Sequence, residues 1–493
     1  MGKPRLDVGL LFFTQSRQII HALIFLLILL LAGTPAAAQV QLPEIGDPAS
    51  ALLSPAQEQQ LGRNLLREVR RNLPISSDPQ LLAYIEAIGQ RLVSSSQDGH
   101  DEFTFLVIDD PRINAFAMPG GIIGMNTGLI IAARNEAEMA AVLAHEIAHV
   151  TQRHIARAYA GSTRTDLAAG LAILAGIIAS AYSPELGQAA MISGMAGGVQ
   201  ARLNFTRANE QEADRIGISL LAESGFDPEA MPSFFERMMQ LAGPTGDSVP
   251  EYLRTHPVTA NRISDSRARA AQFAHGDYRQ DGMEFRLMRM RAEALEQPAE
   301  IIQRYARNQL HSEAAVAEYG YAIALIQRGQ ADDALSVLQA LDTRSSESLK
   351  LKVDLATAEA LLRVSPSRAD EATTLMLRLN DIYPGQLPVV QLLAEAQIRQ
   401  GEYSGAIRNL DRIMNRRPMA PDLLRLKAEA AAKGDLPALS HETMAEYYFH
   451  HARFHDSVRQ LDRALSMPGL SSLQAERIRS KREIAASFAE SNP

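Results

Sequence analysis

The chain has 493 residues, 46% of them hydrophobic and 22% charged, enough for two or three packed domains and too apolar for general disorder. A net charge of −8 does not invite nucleic acid as a partner. Cysteine is absent, which excludes disulfides, a lipoprotein cysteine and thiolate-held metal, so any metal ligands must be histidines or carboxylates.

At the N-terminus, Lys3, Arg5 and Arg17 precede the apolar run "IIHALIFLLILLLAG", and Ala36 to Ala38 offer a small-residue cleavage site before Gln39. Residues 1–38 are therefore expected to be a cleaved secretory signal. An uncleaved anchor is the alternative, although the run is shorter than the roughly 20 residues a membrane span needs. Removing the segment takes a net +2 away and leaves −10. A cysteine-free exported chain also escapes oxidative mispairing, which is compatible with a periplasm.

"SPAQEQQLGRNLLREVRRNLP" and "DPQLLAYIEAIGQRLVSSS" read as two amphipathic helices, each opening beside a Pro or Asp. "EFTFLVIDD", "INAFAMPG" and "IIGMNTGLII" are β-rich pieces separated by Pro111 and by Gly120-Gly121, and a small sheet is expected. "AFAMPGGIIG" is the candidate edge for pairing with substrate backbone; an ordinary hairpin is the alternative.

The next stretch, "ARNEAEMAAVLAHEIAHVTQRHIARAY", is free of Gly and Pro and is expected to form one continuous helix. On it His145 and His149 are four apart and share a face, so both imidazoles can reach one ion, while Glu146 is placed to act on a water there as general base. A third histidine after a glycine would extend the motif one way, but those positions hold Gln152 and Ile155. His154 is one residue off and is expected to be a solvated helix residue.

A carboxylate from a second helix is the other solution. In "NFTRANEQEADRIGISLLAESGFDP", Glu210 and Asp214 are four apart on one face, whereas Glu212 is roughly 200° around from Glu210 and points away. Glu210 is expected as the third zinc ligand and Asp214 as the acceptor that fixes a ligand histidine's tautomer. An acidic, solvated helix start is the alternative. Between the metal helices, residues 167–200 are apolar and rich in Gly and Ala, broken at Ser183-Pro184. They read as a mobile helical hairpin over the active-site cleft, with a membrane or membrane-protein contact as a further role and core packing as the alternative.

Further on, His256 precedes Pro257 at an expected helix boundary, so it should sit on a loop free to turn toward the metal. There it would either fill the open coordination position and silence the enzyme, or swing aside and stabilise the oxyanion. A surface loop histidine is the alternative.

From about Ala314 the pattern changes to helix pairs with small residues at comparable offsets: Ala322/Ala334, Ala360/Ala372, Ala394/Ala406 and Ala445/Ser457. Ala372 to Ala406 spans 34 residues, the tetratricopeptide period, and the other spacings are irregular. Stacked pairs of this kind make a concave surface for binding protein. "HHARFH" puts His451 and His455 four apart, a spacing that could hold metal, but solvated repeat residues are expected.

The motif His145-Glu146-x-x-His149 followed by Glu210-x-x-x-Asp214, with "NAFAMPGGIIGMNTGLI" upstream, resembles the zinc metallopeptidase family of the CAAX-processing prenyl endopeptidase and HtpX-type membrane proteases. Signal, peptidase and helical repeats together resemble its periplasmic branch of β-barrel assembly-enhancing proteases. The resemblance covers nearly the whole mature chain; its motifs are specific for the peptidase half and loose for the rest. It implies a mostly α protein: an α+β zincin-type peptidase domain with a small sheet over 39–290, a linker helix region over 291–313, and an α-solenoid of tetratricopeptide-like pairs over 314–493. One Zn2+ would be held by His145, His149, Glu210 and, in a silenced state, His256, with Glu146, Asp214 and His256 serving the chemistry. Substrates would be unfolded or misassembled outer-membrane proteins, with docking to the β-barrel assembly machinery through the repeats. A binding module acting as chaperone or assembly factor, with latent proteolysis, is the alternative. An aminopeptidase is disfavoured because "GGIIGMNTG" has no acidic residue to hold a free amine.

Overall fold

The computed structural model describes residues 54–96, 102–160, 207–243 and, with short gaps, 249–491. The expected signal segment and the expected hairpin over 167–200 lie outside these residues. Helix α1 (Pro55–Asn72) opens with a capping box between Ser54 and Gln57, and α2 (Pro79–Ser95) opens on Asp78, whose carboxylate accepts from the backbone N–H of Gln80 and Leu81. In both helices Pro occupies the first turn, where no N–H is needed.

Three short strands follow, β1 (Thr104–Ile108), β2 (Ala115–Met118) and β3 (Ile122–Asn126), in the order β1-β3-β2. β1 runs parallel to β3 and β2 antiparallel to it. The β2–β3 turn works because Gly120 and Gly121 take φ of +78° and +76°, a region costly for other residues. β1's outer side is met by residues 74–76, with Ser76 N–H donating to the Val107 carbonyl at 2.8 Å. β2's outer side pairs with no strand among the described residues. The β-rich piece "IIGMNTGLII" is strand only as far as Asn126; from Thr127 it turns into helix α3 (Thr127–Ala132), drawn round by Gly128 N–H on the Asp110 carbonyl.

Helix α4 (Glu136–Thr151) is the centre of the fold. Asn135 caps it, every residue from Glu136 to Val150 is buried, and α2, β2, α6 (Arg207–Glu223) and α7 (Ala230–Ala242) pack round it. The expected continuous helix is broken. Arg153 adopts φ of +50°, and a separate helix α5 (His154–Ala160) begins at the next residue. That break swings His154 inward, so its expected solvated position is corrected: it is fully buried. Gly217 lets α6 lie close on α4, since a Cβ there would stand 3.2 Å from the backbone nitrogen of His145. Short helices α8 (Glu251–Thr255) and α9 (Ala260–Ala270, capped by Thr259) complete this part.

The remainder is a run of packed helices. In order these are α10 (Met283–Glu296), α11 (Pro298–Ala306), α12 (Ala314–Gln327), α13 (Ala331–Asp342), α14 (Glu347–Val364) and α15 (Ala369–Ile382). After them come α16 (Leu387–Gln400), α17 (Tyr403–Met414), α18 (Pro421–Lys433), α19 (Pro437–His450), α20 (Phe454–Ser466) and α21 (Ser472–Ser491). The small residues of the repeat pattern fall one on each helix of a pair and are all buried, and Ser457 donates directly to the Ala445 carbonyl at 2.8 Å. One hydrophobic core runs without interruption from Leu81 on α2 to Ala360 on α14. The array also turns back on the start of the chain, where Leu82 joins the core of α16 to α18 and the Arg67 guanidinium stacks over Phe449 and Phe488. No helix of the described residues is long and apolar enough to cross a membrane.

His451 and His455 do not share a helix. α19 ends at His450, Ala452 takes φ of +51°, and His455 belongs to α20, so the four-residue spacing has no common face. Their neighbour His450 has a stability role instead. Burial, with Arg70 and Arg67 of α1 nearby, pushes its imidazole down to about 4. An unfolded chain would titrate it near ~6.5. Between those values the unfolded state binds a proton that the folded state refuses, so stability present above pH 6.5 is lost on acidification, about 2 kcal/mol of it by pH 5. The difference in melting temperature between pH 7.5 and pH 5 should therefore shrink in His450→Phe; an undiminished difference would rule this histidine out as a source.

Candidate metal centre

His145 and His149, one turn apart on α4, bring their Nε2 atoms within 3.0 Å of each other. Glu210, in the first turn of α6, sets Oε2 3.5 Å from His145 Nε2 and Oε1 3.5 Å from His149 Nε2. His256, just past α8, adds Nδ1 at 3.3 Å from His145 Nε2 and 3.1 Å from Glu210 Oε1. One ligand atom from each of the four lies within 4.8 Å of all the others, and all four residues are buried. Neutral imidazole lone pairs and a carboxylate converging in a dry pocket repel unless a positive charge sits among them. The same demand shows on His145: burial opposes its protonation, yet Asp214 and Glu210 outweigh that and hold its pKa up to about 9. A three-nitrogen, one-carboxylate set without sulfur suits zinc.

Around the cluster, Asp214 Oδ1 lies 3.0 Å from His145 Nδ1. Arg262 of α9 donates to both Asp214 oxygens at 2.8 Å, reaches Glu210 Oε2 at 2.8 Å and donates to the Pro257 carbonyl at 2.8 Å. One guanidinium thus holds the third ligand, the carboxylate behind His145 and the backbone beside His256. Burial would raise the Asp214 carboxyl, but Arg262 and His145 hold it below the usual range. Glu210 is lowered well below its ordinary value, against burial, by His256 and His145. Glu146 is fully buried, and His256 Nε2 lies 3.3 Å from its Oε1. Tyr252 stacks on His256 with ring centres 5.1 Å apart, and its N–H donates to the Ile113 carbonyl in the approach to β2. Glu212 points away from the ligand cluster and pairs instead with His154 and Arg157.

The pattern of this chain is matched by known proteins. Residues 79–270 match peptidase family M48. The beta-barrel assembly-enhancing protease of Escherichia coli (strain K12) is 34% identical over 446 residues, 88% of this chain and 89% of that protein. The chain belongs to peptidase family M48. The Yersinia pestis beta-barrel assembly-enhancing protease is 35% identical over 404 residues, 80% of this chain and 81% of its own. The mitochondrial metalloendopeptidase OMA1 of Arabidopsis thaliana is 37% identical over 152 residues, 31% of this chain and 28% of that one. As an M48 member the chain is a zinc metalloendopeptidase, and the buried His145, His149, Glu210 and His256 cluster is where one zinc ion fits.

Three site residues of this M48 centre escape a reading of the sequence. Arg262 is one of several arginines on a helix whose spacing singles out none of them, and Tyr252 lies in a five-residue helix with no periodicity to read. His154 was visible only as a residue out of phase, because the phase argument assumes a helix that does not break.

Proposed function

We infer that this zinc endopeptidase works in the periplasm on outer-membrane β-barrel proteins that fail to assemble, and that it rests in a closed state until a client displaces His256. The observation that carries the reading is the fourth ligand. His256 places Nδ1 among the donor atoms and Nε2 against Glu146, so it stands where the reacting water would have to be and occupies the base that would activate it. When bound, zinc supplies a Lewis acid that polarises the scissile carbonyl and acidifies water. With His256 withdrawn, Glu146 takes the water's proton and returns it to the departing amine, while Asp214 keeps His145 oriented through Nδ1. Client backbone adds along the outer side of β2, which no strand of the described residues covers and whose approach at Ile113 is tied to the His256 turn through Tyr252. The concave helical array holds the client or docks the assembly machinery; the relatives named for enhancing β-barrel assembly support that assignment. Export by the N-terminal segment puts the enzyme where such clients are.

His256→Ala tests the closed state. Zinc should be retained by the other three ligands, and casein cleavage by the purified full-length protein should rise several-fold. A fall in cleavage with zinc retained would overturn the reading and assign His256 to the oxyanion. A filled fourth position also favours a second reading, a binding module whose proteolysis is incidental. That reading predicts that Glu146→Gln leaves β-barrel assembly in cells unimpaired.

A further inference from the structure

The cluster is held from behind on one side by Asp214, which faces the outer nitrogen of His145. His149 has an equivalent that no motif contains. Its Nε2 faces the other ligands, while its Nδ1 lies 2.9 Å from Nδ1 of His154. On the far side of that ring, His154 Nε2 lies 3.0 Å from Glu212 Oε2, and Arg157 holds the same oxygen at 2.5 Å. His149 and His154 are fully buried, while the Glu212 side chain is 37% exposed.

The proton positions follow from the ends of this chain of contacts. An ionised carboxylate can only accept, so His154 carries its proton on Nε2 and keeps a lone pair on Nδ1. Two facing Nδ1 atoms can bond only if one is a donor, and that donor is His149. Its proton therefore sits on Nδ1, and the lone pair of Nε2 is turned into the ligand cluster. We propose that Glu212 and His154 are positioning residues for the zinc site, a relay that sets the tautomer and ring plane of His149 from outside. Helix α6 then serves His149 from both edges: Glu210 meets it at the ligand face and Glu212, two residues later, reaches its back through His154. The break at Arg153 makes the relay possible, because a continuous helix would carry His154 onto another face. The inference concerns how zinc is held and is independent of whether His256 closes the site.

The experiment is a zinc titration of the full-length protein against a competing chromophoric chelator, with no cleavage measured. His154→Phe fills the space but cannot accept from His149, and should weaken zinc binding about tenfold to a hundredfold. His154→Gln presents a carbonyl oxygen to the same N–H and should recover most of that loss. The cobalt-substituted His154→Phe protein should show an altered visible absorption band, and the Gln variant a band close to that of the parent. A role in packing alone predicts the reverse order, since the apolar ring suits a buried pocket better than an amide. Should His154→Phe not fold, Glu212→Leu at the partly exposed end of the relay still decides. It should weaken zinc several-fold, though less than Glu210→Gln. Unchanged zinc affinity in folded His154→Phe or in Glu212→Leu, or equal losses in the Phe and Gln variants, would overturn the proposal.

Discussion

Glu146→Gln should lower peptide hydrolysis by about a hundredfold to ten-thousandfold, the usual contribution of a positioned general base, while the purified protein keeps its zinc. The amide has the shape of the carboxylate but cannot take a proton, and none of the four clustered donor atoms belongs to residue 146. Stability should not suffer. Glu146 is fully buried with His256 Nε2 3.3 Å from its carboxylate, so an amide there avoids burying a carboxylate. Metal content by atomic absorption, casein cleavage and thermal melting together check this. Cleavage within tenfold of the parent, or loss of zinc, would remove Glu146 from the role of base. Glu210→Gln is the contrast, because it weakens a ligand and should lose metal and activity together.

Arg291→Met should destabilise the whole protein by about 3–5 kcal/mol, the scale of stranding buried charge by removing its partner. Arg291 on α10 is completely buried. Its Nε lies 2.9 and 3.0 Å from the two Asp78 oxygens, and one terminal nitrogen bridges Asp78 at 2.6 Å and Glu359 at 2.7 Å. The other terminal nitrogen donates to the Tyr319 hydroxyl at 3.3 Å, and Gln80 donates to Glu359 at 2.9 Å. One guanidinium therefore ties the N-cap of α2 to helices α12 and α14 of the C-terminal helical run. Methionine fills the space but leaves two carboxylates without a counter-charge. Urea unfolding and resistance to added protease should both show the loss, whereas Glu359→Gln, which keeps an acceptor for the arginine, should cost less. A melting temperature for Arg291→Met close to that of the parent would show that the network is not a structural tie.

Much of the chemistry was legible in the residues themselves, for a physical reason. The HExxH and ExxxD spacings encode faces of single helices, and a helix face follows from rise and turn alone, so His145, His149, Glu210 and Asp214 could be brought together on paper. The repeat helices were legible in the same way, since their small residues mark where paired helices cross and are buried. The placement of His154 was not, because it depends on one left-handed residue, Arg153, that interrupts an otherwise unbroken helical pattern. The same holds at the other end of the chain, where "HHARFH" looks like one face until the turn at Ala452 divides it. Arg262 and Arg291 were invisible because a charged side chain on a helix reads as solvated until another element closes over it. The change of pattern near Ala314 likewise points to paired helices but not to what they pack against. Val316, Tyr319 and Ile323 lie in the same hydrophobic core as the metal-bearing helix α4. Local periodicity is written within ten or twenty residues, so sequence alone put the candidate ligands on shared helix faces and pointed to the kind of enzyme. The contacts that link His149, His154 and Glu212, the arginine that clamps Glu210, Asp214 and the His256 loop, and the joining of α4 to the C-terminal helices through one core depend on residues far apart in the chain, and only the tertiary structure decided them.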